Sequence, residues 1–152
     1  RNNESHVMAA LIRRFYEAKN KSSSEVSCWG TGSVLREFMH VDDLGEAVLF
    51  SLEKWDPQLY NSPKDSKGNN LTHLNVGTGK DITVKELSFK IANKIGYKGR
   101  ILWDFKKPDG TPRKQLDTSQ INNLGWEAKI SLDEGLINTL NDFKNIFRTL
   151  ND

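Results

Sequence analysis

Two side chains near the start of the chain, Trp29 and Arg36, have the types and spacing to bind a nucleotide. An arginine forks onto phosphate oxygens, and an aromatic face accepts a purine. The Gly30–Ser33 segment between them is a predicted tight turn, because its glycines permit positive φ. The alternative is structural: a tryptophan at a strand end usually packs at the core or its rim, and a strand arginine usually faces water. Residue types alone favour this structural interpretation.

The elements around this pair are predicted from hydrophobic patterning. Val26–Trp29 is rich in strand-forming residues, and Leu35–Val41 alternates as a second strand. Asp43, followed by Glu46, resembles a capping box and predicts a helix that reaches Lys54. The order strand, turn, strand, helix therefore places the tryptophan and the arginine at the mouth of one turn.

The first helix is predicted over Val7–Ala18, with Ser5 as its N-cap. His6 and Arg14 are then about 12 Å apart along the helix axis, which suits the two ends of an extended ligand. Helical periodicity by itself prefers Arg13, because that residue lies nearly on the face of His6.

Downstream, the pattern alternates between loops, strands and helices. In order these are a surface loop over Trp55–Asn70, a strand over Leu71–Val76, a helix capped by Thr83 and Glu86 that ends at Gly96, a strand over Arg100–Trp103, a short helix from Asp117 or Thr118 to about Gly125, and a last helix capped by Ser131 and Glu134. The Gly77-Thr78-Gly79 segment is predicted to be a simple turn, because the complete dinucleotide-binding fingerprint is absent.

The Phe105–Lys114 segment is a predicted loop that two prolines stiffen. Held in this way, Asp109, Arg113 and Lys114 could contact a ribose and a diphosphate. The alternative is a solvated basic turn, which residue types alone favour.

Composition excludes several classes of function. The chain has 152 residues and a formal charge of +2, with no apolar run long enough for a bilayer and no basic cluster typical of nucleic-acid binding. The single cysteine, Cys28, fits a reducing compartment and is expected to be buried. The three histidines lack ligand spacing, so no metal site is predicted.

Two motifs carry a resemblance to a known family. The first is Trp29-Gly-Thr-Gly-Ser-x-x-Arg36-Glu-Phe-x-His40-Val-Asp-Asp43-Leu, and the second, more specific one is Lys107-Pro-Asp-Gly-Thr-Pro-Arg-Lys114. Together they resemble the C-terminal half of the GDP-L-fucose synthase family, a branch of the extended short-chain dehydrogenases/reductases. The resemblance runs from about Ser5 to about Phe143.

The resemblance implies an α/β fold of short strands and amphipathic helices, the C-terminal substrate-binding part of such an enzyme, over residues 1–152. The Rossmann core that binds most of the NADP(H) would lie upstream of Arg1. It further implies a GDP-sugar substrate, a homodimeric cytoplasmic enzyme, and no nucleic-acid or membrane partner. This 152-residue chain alone is expected to be inactive.

The same matching implies the site residues. His6 would be catalytic, as an acid or base in epimerisation, with an edge contact to the nicotinamide cofactor. Arg14, Trp29, Arg36, Asp109 and Lys114 would bind the substrate: the three cations at the diphosphate or sugar, Trp29 near the guanine, and Asp109 at a hydroxyl or ring nitrogen. A further family motif, Ser5-His-Val-x-x-Ala-Leu-Ile-Arg-Arg14, selects Arg14 over Arg13, which the periodicity prefers.

Two alternatives remain open: another sugar-nucleotide epimerase or dehydratase, and a non-enzymatic nucleotide-sugar binding module. If an upstream domain is missing, apolar residues that would pack against it should be exposed. Those residues are Val48, Leu52, Leu74 and Val76.

Overall fold

The computed structural model describes residues 6–149, with side chains as far as residue 146. Its elements, in chain order, are α1 (Val7–Asn20), β1 (Glu25–Trp29), β2 (Leu35–Glu37), α2 (Val41–Lys54), β3 (Asp81–Thr83), α3 (Val84–Ile95), β4 (Arg100–Asp104), β5 (Arg113–Lys114), α4 (Ser119–Asn123) and α5 (Leu132–Thr149). These residues form two compact units, 6–36, 82–114 and 136–149 in the first, and 37–81 and 115–135 in the second. The predicted α/β class is confirmed.

The core of the first unit lies between helices α1 and α3 and the two-stranded parallel sheet of β1 and β4. Alternate residues of β1 are buried, as predicted, so that Val26 and Cys28 face inward. The ring of Phe15 in α1 is fully buried and lies 5.5 Å from the ring of Tyr97. Leu87 and Ile91 of α3 are also fully buried, so the helices cover the sheet with apolar side chains.

A second parallel pairing joins β2 to β5, with β3 on the other side of β2. Leu35 pairs with Arg113, and Arg36 pairs with Lys114. The Phe105–Lys114 segment was predicted to be a loop throughout, but its last two residues extend the sheet. A strand this short depends on its partner's hydrogen bonds, which local sequence patterns do not report.

Local capping signals predicted helix α3 correctly. The Thr83 hydroxyl accepts the amide of Glu86, the Glu86 carboxylate accepts the amide of Thr83, and Gly96 ends the helix at φ +80°. For α1, the predicted N-cap Ser5 lies outside the described residues; His6 occupies the N-cap position, and its side chain makes no capping bond.

Two predicted elements, the second strand and the helix after it, are present, but their boundaries were predicted wrongly. The strand from Leu35 ends at Glu37, and α2 begins at Val41, two residues before the predicted cap Asp43. His40 is the N-cap, and its Nδ1 accepts the amide of Asp42 at 3.3 Å.

The predicted cap Asp43 has a different role. It is buried on the helix, and its carboxylate accepts hydrogen bonds from the backbone amides of Lys129 and Ile130, which follow α4. A buried carboxylate needs such donors, which come from residues distant in sequence.

The predicted strand over Leu71–Val76 is irregular chain in the structure. A strand forms only where another strand pairs with it, and in the part of the chain that the structure describes nothing pairs with this segment along its length. Leu74 and Val76 pack against the buried cluster of Ala47, Ile121 and Trp126.

The apolar residues expected to be exposed divide into two groups. Val48 and Leu52 in α2 are exposed, Leu52 by 79% of its surface, whereas Leu74 and Val76 are half-buried. The expectation is therefore correct for the helix and wrong for the irregular segment, because that segment covers its own unit's core. Among the described helices, none is long and apolar enough to cross a membrane.

We predict that Thr83→Ala lowers the free energy of unfolding by about 1 kcal/mol, because the Glu86 amide loses its capping acceptor. Urea unfolding followed by circular dichroism measures the change. Thr83→Ser keeps a hydroxyl and should stay within a few tenths of the parent. If Thr83→Ala and Thr83→Ser unfold at the same urea concentration, the capping box of Thr83 and Glu86 does not stabilise α3.

Candidate functional site

Trp29 ends β1 with 51% of its surface exposed, at the carboxyl edge of the β1/β4 sheet. Arg14 reaches it from α1: the guanidinium carbon lies 5.5 Å from the indole centroid, and Nη1 donates to the carbonyl of Ser27 at 3.2 Å. Helical periodicity preferred Arg13, but that side chain lies 3.9 Å from the Glu17 carboxylate. The structure therefore places Arg14 beside Trp29. Arg14 is the arginine that the family motif selected over Arg13.

The turn after Trp29 is fastened to the Phe105–Lys114 segment by Asp109. One carboxylate oxygen of Asp109 accepts the Thr31 amide at 2.7 Å, and the other accepts the Thr31 hydroxyl at 2.8 Å. A Cβ at Gly30 would lie 2.1 Å from this carboxylate, and Gly30 has φ +73°, so only glycine fits there. Asp109 was predicted as a substrate contact, and in the structure it holds the turn.

These contacts change the acidity of the carboxyl group. The hydrogen bond from the Thr31 amide, followed by the one from its hydroxyl, lowers the pKa of Asp109 below its usual value. Asp109 is therefore an anion throughout the neutral range and keeps the turn fastened there.

Arg36 and Lys114 lie beside each other on neighbouring parallel strands. Register partners in a sheet point to the same face, so the two positive charges face the same way. Arg36 Nη1 donates to the carbonyl of its neighbour Leu35, and its other terminal nitrogen lies near Gly110, 3.7 Å from the place of a Cβ there. Two like charges side by side repel unless an anion lies between them.

Lys107 is a residue that sequence reasoning missed as a site residue. Its ammonium lies 5.4 Å from the centroid of the Trp29 ring. The available signal was its place at the start of the Lys107–Lys114 motif, but residue type gave no reason to select it over Lys106.

His6, the predicted catalytic residue, is exposed at the N-cap of α1. Within residues 6–149 its recorded contact is the helical bond from the Ala10 amide to its carbonyl, so the structure does not join it to the other predicted residues. Its assignment stays a prediction. No group of three or more His, Cys, Asp or Glu suited to a metal occurs among the described residues.

The Gly77–Gly79 segment is a turn, as predicted, and leads into strand β3. The amides of Thr78 and Gly79 donate to the carboxylate of Glu37. A dinucleotide site would offer such amides to a diphosphate at the start of a helix. In this turn those two amides are bound to Glu37 instead.

Comparison with known proteins shows which family and which proteins the chain resembles. The model of the NAD dependent epimerase/dehydratase family matches residues 1–62. A rice protein (Oryza sativa subsp. japonica) named probable GDP-L-fucose synthase 1 is 47% identical over 135 residues, which cover 89% of this chain and 37% of the rice protein. Residues 1–62 therefore resemble that family, and most of the chain resembles part of the rice protein. The chain spans less than half the length of this relative.

Two solved structures of GDP-sugar reductases have a fold similar to that of this chain. A GDP-6-OMe-4-keto-L-xylo-heptose reductase from C. jejuni superposes with a TM-score of 0.81 at 32% identity, covering 93% of this chain and 48% of the reductase. A GDP-mannoheptose C4 reductase from Campylobacter jejuni with NADP bound superposes with a TM-score of 0.76 at 28% identity, covering 94% and 46%. This chain therefore shares its fold with part of each of these two proteins.

We predict that the contact between Thr31 and Asp109 is lost only under strongly acidic conditions. Because folding lowers the pKa of Asp109, its contribution to stability is present above the unfolded carboxyl value of about 3.9 and is lost as pH falls through the lower native value. The proton chemical shift of the Thr31 amide, followed by NMR, should therefore titrate with a midpoint below about 3.9.

Asp109→Asn is the control for this titration, because an amide keeps the shape of the side chain and does not ionise in this range. The acid titration of the Thr31 amide should disappear in this variant. A midpoint at or above the ordinary carboxyl value in the parent would show that the contact does not favour the ionised form.

Proposed function

We propose that this chain is the GDP-sugar-binding part of a GDP-L-fucose synthase, which converts GDP-4-keto-6-deoxymannose to GDP-L-fucose by epimerisation and NADPH-dependent reduction. The observation that carries the proposal is the pairing of Arg36 with Lys114, in a chain 47% identical to a protein of that name. The exposed Trp29, with Arg14 near its ring, supports it. The GDP-sugar reductases of the same fold support GDP as the nucleotide.

The diphosphate is the part of the substrate that this site fits best. Arg14, Arg36 and Lys114 form no ion pair with a carboxylate in the described part of the chain. A planar guanidinium donates two parallel hydrogen bonds to phosphate oxygens, and an ammonium adds a compact charge. A bound diphosphate would supply the anion that the Arg36–Lys114 pair lacks.

Two further predicted residues, Trp29 and Asp109, would contact the guanine and the hydroxyl groups of the substrate. Trp29 lies at the guanine end in this proposal, and Asp109 accepts a hydrogen bond from a hydroxyl or ring nitrogen. An ionised carboxylate has about four lone-pair positions, so the two bonds from Thr31 leave room for a substrate donor.

His6 is the proposed acid or base of the epimerisation, with an edge contact to the cofactor. Epimerisation beside a ketone removes a carbon-bound proton and returns it from the other side of the sugar. An imidazole suits this step because its protonation state changes near neutral pH. By resemblance, it would act together with a cysteine outside this sequence.

NADPH would supply the hydride that reduces the keto group. We place its main binding site in an upstream domain that is not part of this sequence, because the Gly77–Gly79 turn is unsuited to it. We also propose, from the resemblance, a homodimeric cytoplasmic enzyme without nucleic-acid or membrane partners.

We predict that the complete gene product, expressed with all coding sequence contiguous with this chain, oxidises one NADPH for each GDP-4-keto-6-deoxymannose consumed. Absorbance of NADPH and chromatography of GDP-L-fucose measure the reaction. The 152-residue chain alone should show no turnover, and it serves as the matched control.

The alternatives give different results in the same assay. GDP binding without turnover by the complete product would indicate a binding module, and faster turnover of a dTDP- or UDP-keto-sugar would indicate a different enzyme. Either result would refute the proposed reaction.

A further inference from the structure

The exposed ring of Trp29 lies beside two cations. The ammonium of Lys107 is 5.4 Å from the ring centroid, and the guanidinium carbon of Arg14 is 5.5 Å from it. Cations within about 6 Å of an aromatic face are attracted to its negative centre. This attraction gives Lys107 a defined place despite its long, flexible side chain.

The backbone also fixes Lys107 beside Trp29. Trp29 pairs in register with Asp104, and the carbonyl of Asp104 accepts two amides, from Gly30 at 3.0 Å and from Lys107 at 3.1 Å. The Asp104 carboxylate accepts the amide of Lys106 at 3.1 Å and closes the turn. The carbonyl of Asp104 thus holds Gly30, which follows Trp29, close to Lys107, whose ammonium lies near the indole ring.

The charge of Lys107 is not neutralised by the protein. Lys107 makes no ion pair with a carboxylate within the described residues. The nearby Asp109 carboxylate is bound to Thr31 through both of its oxygens. Lys107 and Arg14 are therefore two like charges over one ring, an arrangement that an anionic ligand would stabilise.

The same arrangement limits what Trp29 can do for a base. Stacking of a purine places its ring within about 4.5–7 Å of the indole centroid, which is the distance at which both cations already lie. A guanine stacked over the position of either cation would have to displace that cation. Each cation therefore competes with a stacked base for its place at the ring.

We propose that Lys107 is a further diphosphate-binding residue, and that Trp29 positions Lys107 and Arg14 for the phosphates instead of stacking the guanine. This inference rests on the proposed function, because it requires a GDP-linked substrate at this site. It assigns a role to the first lysine of the Lys107–Lys114 motif and revises the role expected for Trp29.

The test compares GDP with guanosine, because the two share a base and differ in the phosphates. Binding of each to the complete gene product is measured by calorimetry. Lys107→Met keeps most of the side-chain volume and removes the charge, so GDP should bind roughly 5- to 15-fold more weakly, while guanosine binding stays unchanged. The loss should shrink as salt rises, because ions screen an exposed charge.

The neighbouring lysine provides the matched control. Lys106 has the same charge and the next position in the turn, but the structure records no contact between its ammonium and Trp29. Lys106→Met should bind GDP like the parent, and Lys107→Arg should retain most of the parent's affinity. Equal GDP affinity in the parent and in Lys107→Met would overturn the role of Lys107.

Trp29→Leu tests the second half of the proposal. Loss of the ring should weaken GDP binding and leave guanosine binding unchanged, because the ring acts through the cations. An equal loss for GDP and guanosine would show that the base stacks on Trp29. If the parent itself does not bind GDP, the proposed function fails, whereas a parent that binds GDP with unchanged variants refutes only this inference.

Discussion

Parallel strand pairing is the constraint on which the candidate site depends. The pairings of β1 with β4 and of β2 with β5 align segments that are far apart in sequence; the bond from Thr31 to Asp109 spans 78 residues. Parallel strands end at the same edge of a sheet, which is where α/β proteins generally bind ligands. The pairings place Trp29 beside Lys107, and Arg36 beside Lys114. Helix α1 packs against β1, whose Val26 and Cys28 are buried, and this packing also brings Arg14 to Trp29.

Electrostatics gives this edge its chemical character. Arg14, Arg36, Lys107 and Lys114 form no ion pair with a carboxylate in the described part of the chain, and the carboxylate of Asp109 is bound to Thr31. Water solvates these charges in the free protein, so their clustering is tolerated at an exposed edge. A diphosphate could replace that water with charge-assisted hydrogen bonds. The rigid turn, held by Gly30 and Asp109, would reduce the entropy lost when such a ligand binds.

Local chemistry made part of this fold predictable from the sequence. The capping box of Thr83 and Glu86 and the helix stop at Gly96 depend on neighbouring residues, and both predictions were confirmed. Predictions failed where the local structure depends on residues distant in sequence. The Leu71–Val76 segment is not a strand, because no strand pairs with it among the described residues. Asp43 does not cap its helix, because its carboxylate binds backbone amides that follow α4. For the site, a family motif selected Arg14 where periodicity selected Arg13. Lys107 was missed because its place over Trp29 follows from the β1/β4 register, which no local pattern encodes.

The central claim is that strand pairing presents Arg36 as a phosphate ligand and not as a fold element. The most direct measurement is the GDP affinity of Arg36→Ala in the complete gene product, together with its melting temperature. Arg100→Ala is the matched control, because Arg100 is exposed at the opposite end of β4 and pairs with Glu25. Loss of a charge-assisted contact should weaken GDP binding by about 1.5–3 kcal/mol, roughly 10- to 140-fold, with an unchanged melting temperature. Unchanged GDP affinity with a melting temperature several degrees lower would contradict the claim.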